Sequence, residues 1–241
     1  MRAWPSLLLL PAALACTPVP GAQVEQAAAD EPIALEPLQP DPAPRGCGRP
    51  SYVPHRSWIE GDDLRLKWLA ARWHPRGEHG RPQAIREVHG GVEIPGFELV
   101  LVRVSHGPEP VVPCYVPKPV KGGYAIACGD ASSLPQMLTQ DKPRPADAAQ
   151  WAELLGTLDG AQASFASAAD WRRCGIGPAL PPEAYADLGV SGEPGRERVQ
   201  WLELFLLSDG SRMLVRGRFE LSGEFAEVHR TELWSDMDGA R

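Results

Sequence analysis

Six histidines, five cysteines and a pair of adjacent aspartates are the residues best equipped for chemistry in this 241-residue chain. His74, His79 and His89 fall close together, with His55 and His106 on either side and Glu78 and Glu87 interspersed. Imidazoles joined by a carboxylate form the ligand set of a metal-assisted hydrolase. The spacing here matches no helical or strand pattern such as His-Glu-x-x-His. Solvated loop histidines are the simpler expectation. Ser105 and His106 are neighbours in sequence, whereas a nucleophilic triad is an arrangement in space. No Gly-x-Ser-x-Gly elbow accompanies them. Asp62-Asp63 has the chemistry of a general acid and base, yet helix capping explains it with fewer requirements. Asp236-Met237-Asp238-Gly239 begins like a calcium loop, but no glutamate follows at the twelfth position. No glycine-rich phosphate loop opens a helix. These residues therefore predict no catalytic set and no cofactor.

The cysteines point elsewhere. Arg2 and an apolar run from Leu7 to Ala15 have the layout of an export signal, with small residues before Cys16. The run is shorter than the roughly 20 residues of a membrane span. Ala13-Leu14-Ala15-Cys16 resembles the lipobox of bacterial lipoproteins. That resemblance implies cleavage before Cys16, a diacylglyceryl thioether on its sulfur and acylation of the new amine. Ala13 stands where the box usually has leucine. Thr17, in place of aspartate, implies sorting to the outer membrane. Ala13-x-Ala15 also suits ordinary signal peptidase, which would leave a soluble protein with a free Cys16. Lipid on Cys16 leaves an even number of cysteines: Cys47, Cys114, Cys128 and Cys174. Export would place them where disulfides persist.

Residues 17–46 hold seven prolines, five acids, one arginine and no aromatic residue. Such composition buries too little apolar surface to offset chain entropy, so a disordered tether is expected. In polyproline geometry it would reach roughly 90 Å, at about 3.1 Å per residue. One α+β domain is expected from Cys47 onward. The formal charge of −7 argues against nucleic acid as a partner.

Within that domain, residues 62–73 predict a helix stopped by His74-Pro75, while the alternation of Leu64, Leu66 and Trp68 with Arg65 and Lys67 offers a strand as the alternative. Residues 75–96 read as loop with a short strand near 84–88. Phe97–Val104 is a strand, and 111–116 with 124–128 form a hairpin about a Pro/Gly-rich turn. A turn centred on Lys121 sets Cys114 opposite Cys128 and leaves Cys47 for Cys174. Four cysteines allow three pairings, and sequence does not choose among them. Residues 147–158 and 161–174 are Ala-rich helices with glycine stops at Gly160 and Gly175, and 182–188 is a further short helix.

A three-stranded antiparallel meander follows, packed on those helices. Its Asp-Gly signal suggests a two-residue turn. That turn pairs Leu204 with Val215 and Leu202 with Gly217 on an apolar face. It sets Glu203 against Arg216 and Trp201 against Arg218 on the other. The third strand would then pair Phe219 with Ala226 and Arg218 with Glu227. The polar face carries Arg212, Arg216, Arg218, His229 and Arg230 with Glu203, Glu220, Glu227 and Glu232 interleaved, is bordered by Trp201 and Trp234, and is the candidate binding surface. The expected protein is thus a lipid-anchored envelope protein at the outer membrane, facing periplasm or exterior. Its non-catalytic domain would bind an envelope protein or glycan. The alternatives are an envelope hydrolase with metal on His74, His79 and His89, and a structural or inhibitory partner of another envelope protein.

Overall fold

A computed structural model describes residue 47 and residues 51–73, 80–106, 110–120, 125–138 and 144–236. Two antiparallel sheets and four helices make up this α+β fold. The first sheet contains β1 (Tyr52–Pro54), β2 (Ile59–Glu60), β3 (Pro82–Gly90), β4 (Phe97–Val104), β5 (Val111–Pro117) and β6 (Ala127–Cys128). Its order is β1-β3-β4-β5-β6, with β2 also pairing with β3. The second sheet contains β7 (Ala163–Phe165), β8 (Gly189–Ser191), β9 (Arg198–Leu206), β10 (Arg212–Ser222) and β11 (Phe225–Ser235). It runs β11-β10-β9-β7, and β8 lies beside β9 as well.

The helices are α1 (Leu64–Arg72), α2 (Leu134–Met137), α3 (Ala148–Asp159) and α4 (Ala168–Cys174). Asp63 caps α1 by accepting from the Arg65 N–H. Asp147 caps α3 through Gln150 N–H, and Ser167 caps α4 through Asp170 N–H. Each side chain satisfies a donor that the first helical turn leaves open. Gly160 and Gly175 close α3 and α4 in the left-handed conformation, as their glycine signals imply.

α3 lies at the centre. Trp151, Leu154, Leu155 and Leu158 share one core with Leu99 and Tyr115 of the first sheet and Val199, Trp201 and Phe219 of the second. α1 covers the other face of the first sheet, where Leu66 and Leu69 meet Ile85, Val100, Val102 and Cys114. Arg65 of α1 binds Asp63, Glu87 and Glu98 at 2.9–3.1 Å, which fixes the helix to the strand ends. These contacts hold the Asp63 and Glu87 carboxyls below their usual range, and the Arg65 hydrogen bond is the main cause. α4 covers the outer face of the second sheet, with Trp171 and Phe165 against Leu202, Leu204 and Leu214.

Two disulfides are present, Cys47–Cys174 and Cys114–Cys128. Cys114 and Cys128 are directly opposite in the β5–β6 register. Such bonds belong to an oxidising, extracytoplasmic setting. No helix among the described residues is long and apolar enough to cross a membrane.

Several expectations need correction. The helix expected over 161–174 begins only at Ala168, and 163–165 form β7 on the edge of β9. Ala163 and Phe165 fill the core beside Leu202 and Leu204, a non-local gain that outweighs local helix preference. The strand near 84–88 extends over Pro82–Gly90, because β1, β2 and β4 all pair with it. The short helix over 182–188 is a 3-10 turn at Pro182–Tyr185, followed by β8.

The meander is real, but its register differs. Leu204 pairs with Leu214, Leu202 with Arg216 and Trp201 with Gly217, one residue away from the two-residue-turn prediction. The connection has three residues: Gly210 N–H donates to Leu207 O at 3.0 Å, and Leu207 N–H to Ser211 O at 2.8 Å. Gly210 takes φ +86°, which a turn closed by a glycine bulge requires. At the next turn Leu221 pairs with Ala226, Phe219 with Val228 and Arg218 with His229. That is a two-residue displacement, and it leaves each side chain on its expected face.

Candidate functional site

The expected binding face divides into three environments. Trp201 is fully buried in the α3 core, with its ring against Gly217. A Cβ at Gly217 would lie 2.4 Å from the indole, so the strand pair needs glycine there. Trp201 is therefore no part of an exposed surface; the one-residue register difference moves it off Arg218 and onto Gly217. Arg212, Arg216 and Trp234 lie on the opposite face, beneath the segment after α4. Arg212 binds Asp236 at 3.0 Å and Ile176 O at 2.6 Å, and its guanidinium lies over Trp234. Asp236, read in the sequence as the head of a calcium-like loop, thus serves as an arginine partner. Arg216 donates to Glu183 O, Ala186 O and Gln200 Oε1. Arg218 and His229 are adjacent across β10 and β11 and reach solvent. Glu220 and Glu227 accompany them, and Phe225 is 78% exposed at the strand end. Only this last group retains the character of a surface.

Beside Trp201 lies a buried pair of carboxyls. Glu203 projects from β9 towards α3 with no exposed side-chain surface, and Asp159 ends α3 nearly as deep. Arg230 of β11 bonds to Asp159 and lies 3.9 Å from Glu203. Trp201 Nε1–H donates to Glu203 Oε1 at 2.5 Å. Burial pushes the Glu203 carboxyl well above its ordinary range, and the Asp159 charge pushes it further. Burial likewise raises Asp159, with Arg230 opposing it. Two carboxyls beside one guanidinium share a proton more readily than both ionise. The group ties the C-terminal end of α3 to β9 and β11. Sequence reading placed Glu203 against Arg216; the available signal was a lone acid inside the apolar run Trp201-Leu202-Glu203-Leu204.

The histidine trio is not assembled among the described residues. His74 and His79 lie outside them. His89 stands on β3, and its ring centre is 5.6 Å from that of His55. Gly80, the first described residue after the gap, is held by His106 at the other end of β3.

A cleft of about 340 Å³ opens between α3 and β7. Asp147, Gln150, Glu153 and Thr157 form its helical wall, and residues 161–166 form the other. Asp170 and Ser51 stand at its margin. Gly156 allows α3 and β7 to approach closely, since a Cβ there would meet Ser164 Oγ at 1.7 Å. Among the described residues β7 pairs with β9 alone, so its outer edge borders the cleft. Among the described residues the lining has three carboxylates and no lysine or arginine. Sequence reading missed it, because it depends on 161–166 being extended. Comparison with known proteins found no matching family model, curated protein or solved structure.

Proposed function

We propose that this protein is an exported cell-envelope protein, held to the membrane by lipid on Cys16, whose α+β domain binds an envelope ligand without transforming it. The observation that carries the binding reading is the α3–β7 cleft. It joins a strand edge that is unpaired among the described residues, amide and hydroxyl side chains and three carboxylates in one concavity. A volume of that size suits a short peptide or oligosaccharide segment. The strand edge offers main-chain hydrogen bonds, and the carboxylates favour a cationic or hydroxyl-rich ligand. Support for a non-catalytic role comes from the acid pair itself. Glu203 is enclosed by Trp201, Asp159 and Arg230 and has no exposed side-chain surface for a substrate to touch.

Arg218, His229 and exposed Phe225 give a second reading, an acidic protein partner docked on the β10–β11 surface. Peptide and glycan arrays probed with the domain separate the two. Loss of the bound signal in Glu153→Arg, with retention in Arg218→Glu, supports the cleft. The converse pattern transfers binding to the sheet face. Anchoring is tested apart from this. Cys16→Ser is expected to move the protein out of the membrane fraction, and continued sedimentation with membranes removes the lipid claim.

A further inference from the structure

We infer that His55 and His89 form a surface site for a divalent transition metal, with Cu²⁺ as its preferred ion. The two residues come from antiparallel neighbours. Val53 of β1 pairs with His89, and His55 N–H donates to Glu87 O at 2.6 Å, which continues the ladder two residues on. Both histidines therefore project from the same face of β1 and β3. Their ring centres are 5.6 Å apart, with planes inclined at 60°. With metal–nitrogen bonds of about 2.0–2.1 Å, two imidazoles on one ion hold their ring centres roughly 4.5–6 Å apart.

Three further features favour an ion. Both histidines are solvent-exposed, so the ion keeps access and water can complete its coordination. His55 Nδ1 is 3.2 Å from Ser57 Oγ, which engages one ring nitrogen and leaves Nε2 as the ligand. Glu87, the cross-strand neighbour of His55, supplies negative charge nearby while its Oε1 accepts from Arg65. No group of three or more His, Cys, Asp and Glu residues assembles a metal set among the described residues. The pair is thus a two-nitrogen site whose remaining positions fall to water. Imidazole nitrogens with water suit Cu²⁺, Ni²⁺ and Zn²⁺, and affinity for a given nitrogen site peaks at Cu²⁺. The four described cysteines, whose thiolates would favour Cu⁺, are held in disulfides.

The test is a titration of the full-length protein, with both disulfides intact, with Cu²⁺. It is followed by calorimetry and by electron paramagnetic resonance of the bound ion. One equivalent with two-nitrogen hyperfine structure is expected, and Zn²⁺ should bind more weakly. His55→Ala and His89→Ala should each weaken that site at least tenfold, whereas His229→Ala should not. Circular dichroism confirms that the variants fold. Unchanged Cu²⁺ affinity in both variants overturns the inference. So does a site that disappears with His74→Ala or His79→Ala and survives His55→Ala.

Discussion

Breaking the two disulfides one at a time should cost unequal amounts, and the longer loop should cost more. Cys47–Cys174 spans 127 residues and Cys114–Cys128 spans 14. In the chain-entropy model the first restrains the unfolded chain by about 5 kcal/mol and the second by about 3 kcal/mol. The variants Cys174→Ala and Cys128→Ala remove one sulfur each and leave the partner thiol in place. That choice matters for Cys114, which is fully buried against Val100, Val102 and Val116 and would leave a cavity if truncated. For a domain of this length 1 kcal/mol corresponds to about 2–4 °C. Scanning calorimetry should therefore show losses of roughly 10–20 °C for Cys174→Ala and 6–12 °C for Cys128→Ala. Urea unfolding adds a second readout. Releasing the longer loop exposes more chain in the unfolded state and should raise the m-value more. An equal or larger loss for Cys128→Ala would refute the loop-closure reasoning. It would show that the β5–β6 hairpin needs its bridge for packing in the folded state.

Glu203→Gln should change stability in a pH-dependent way. Burial raises the folded carboxyl well above the ordinary glutamate value of about 4.3. The wild-type stabilisation is therefore full below that pH and is lost as pH climbs through the raised folded value. The urea midpoint of Glu203→Gln relative to wild type should rise between pH 5 and pH 8; a constant difference would show that the buried pair does not titrate there. Gly217→Ala should lower stability by about 1–3 kcal/mol through overpacking against Trp201, read as an earlier thermal transition in tryptophan fluorescence. An unchanged or raised midpoint would mean that the indole has room to move.

Much of the local structure was legible because its causes are local. Asp63 and Asp147 precede apolar helical runs and cap them; Gly160 and Gly175 end helices where a left-handed residue is needed. A turn read about Lys121 in the sequence set Cys114 opposite Cys128, one of three open pairings, and the β5–β6 register has that pair. Other features escaped because a single local detail controls a distant set. A three-residue connection at 208–210, where a two-residue one was expected, shifted β9 against β10 by one position. That shift exchanged the partners of Trp201, Glu203 and Arg216. Alternation also failed as a guide, since the second sheet is covered on both faces, by α3 on one and by α4 on the other.

By itself the sequence determined the composition of the chain, its cysteine arithmetic, its helix caps and the existence of the C-terminal meander. Each of these depends on residues within about a turn or a hairpin of one another. Only the tertiary structure decided that Glu203 meets Asp159 and Arg230, that His55 faces His89, and that β7 and its flanking residues 161–166 line a cleft. Those neighbours lie 27 to 71 residues apart, or depend on such neighbours. They are brought together by burial of apolar surface on both faces of α3, a driving force that has no direction along the chain.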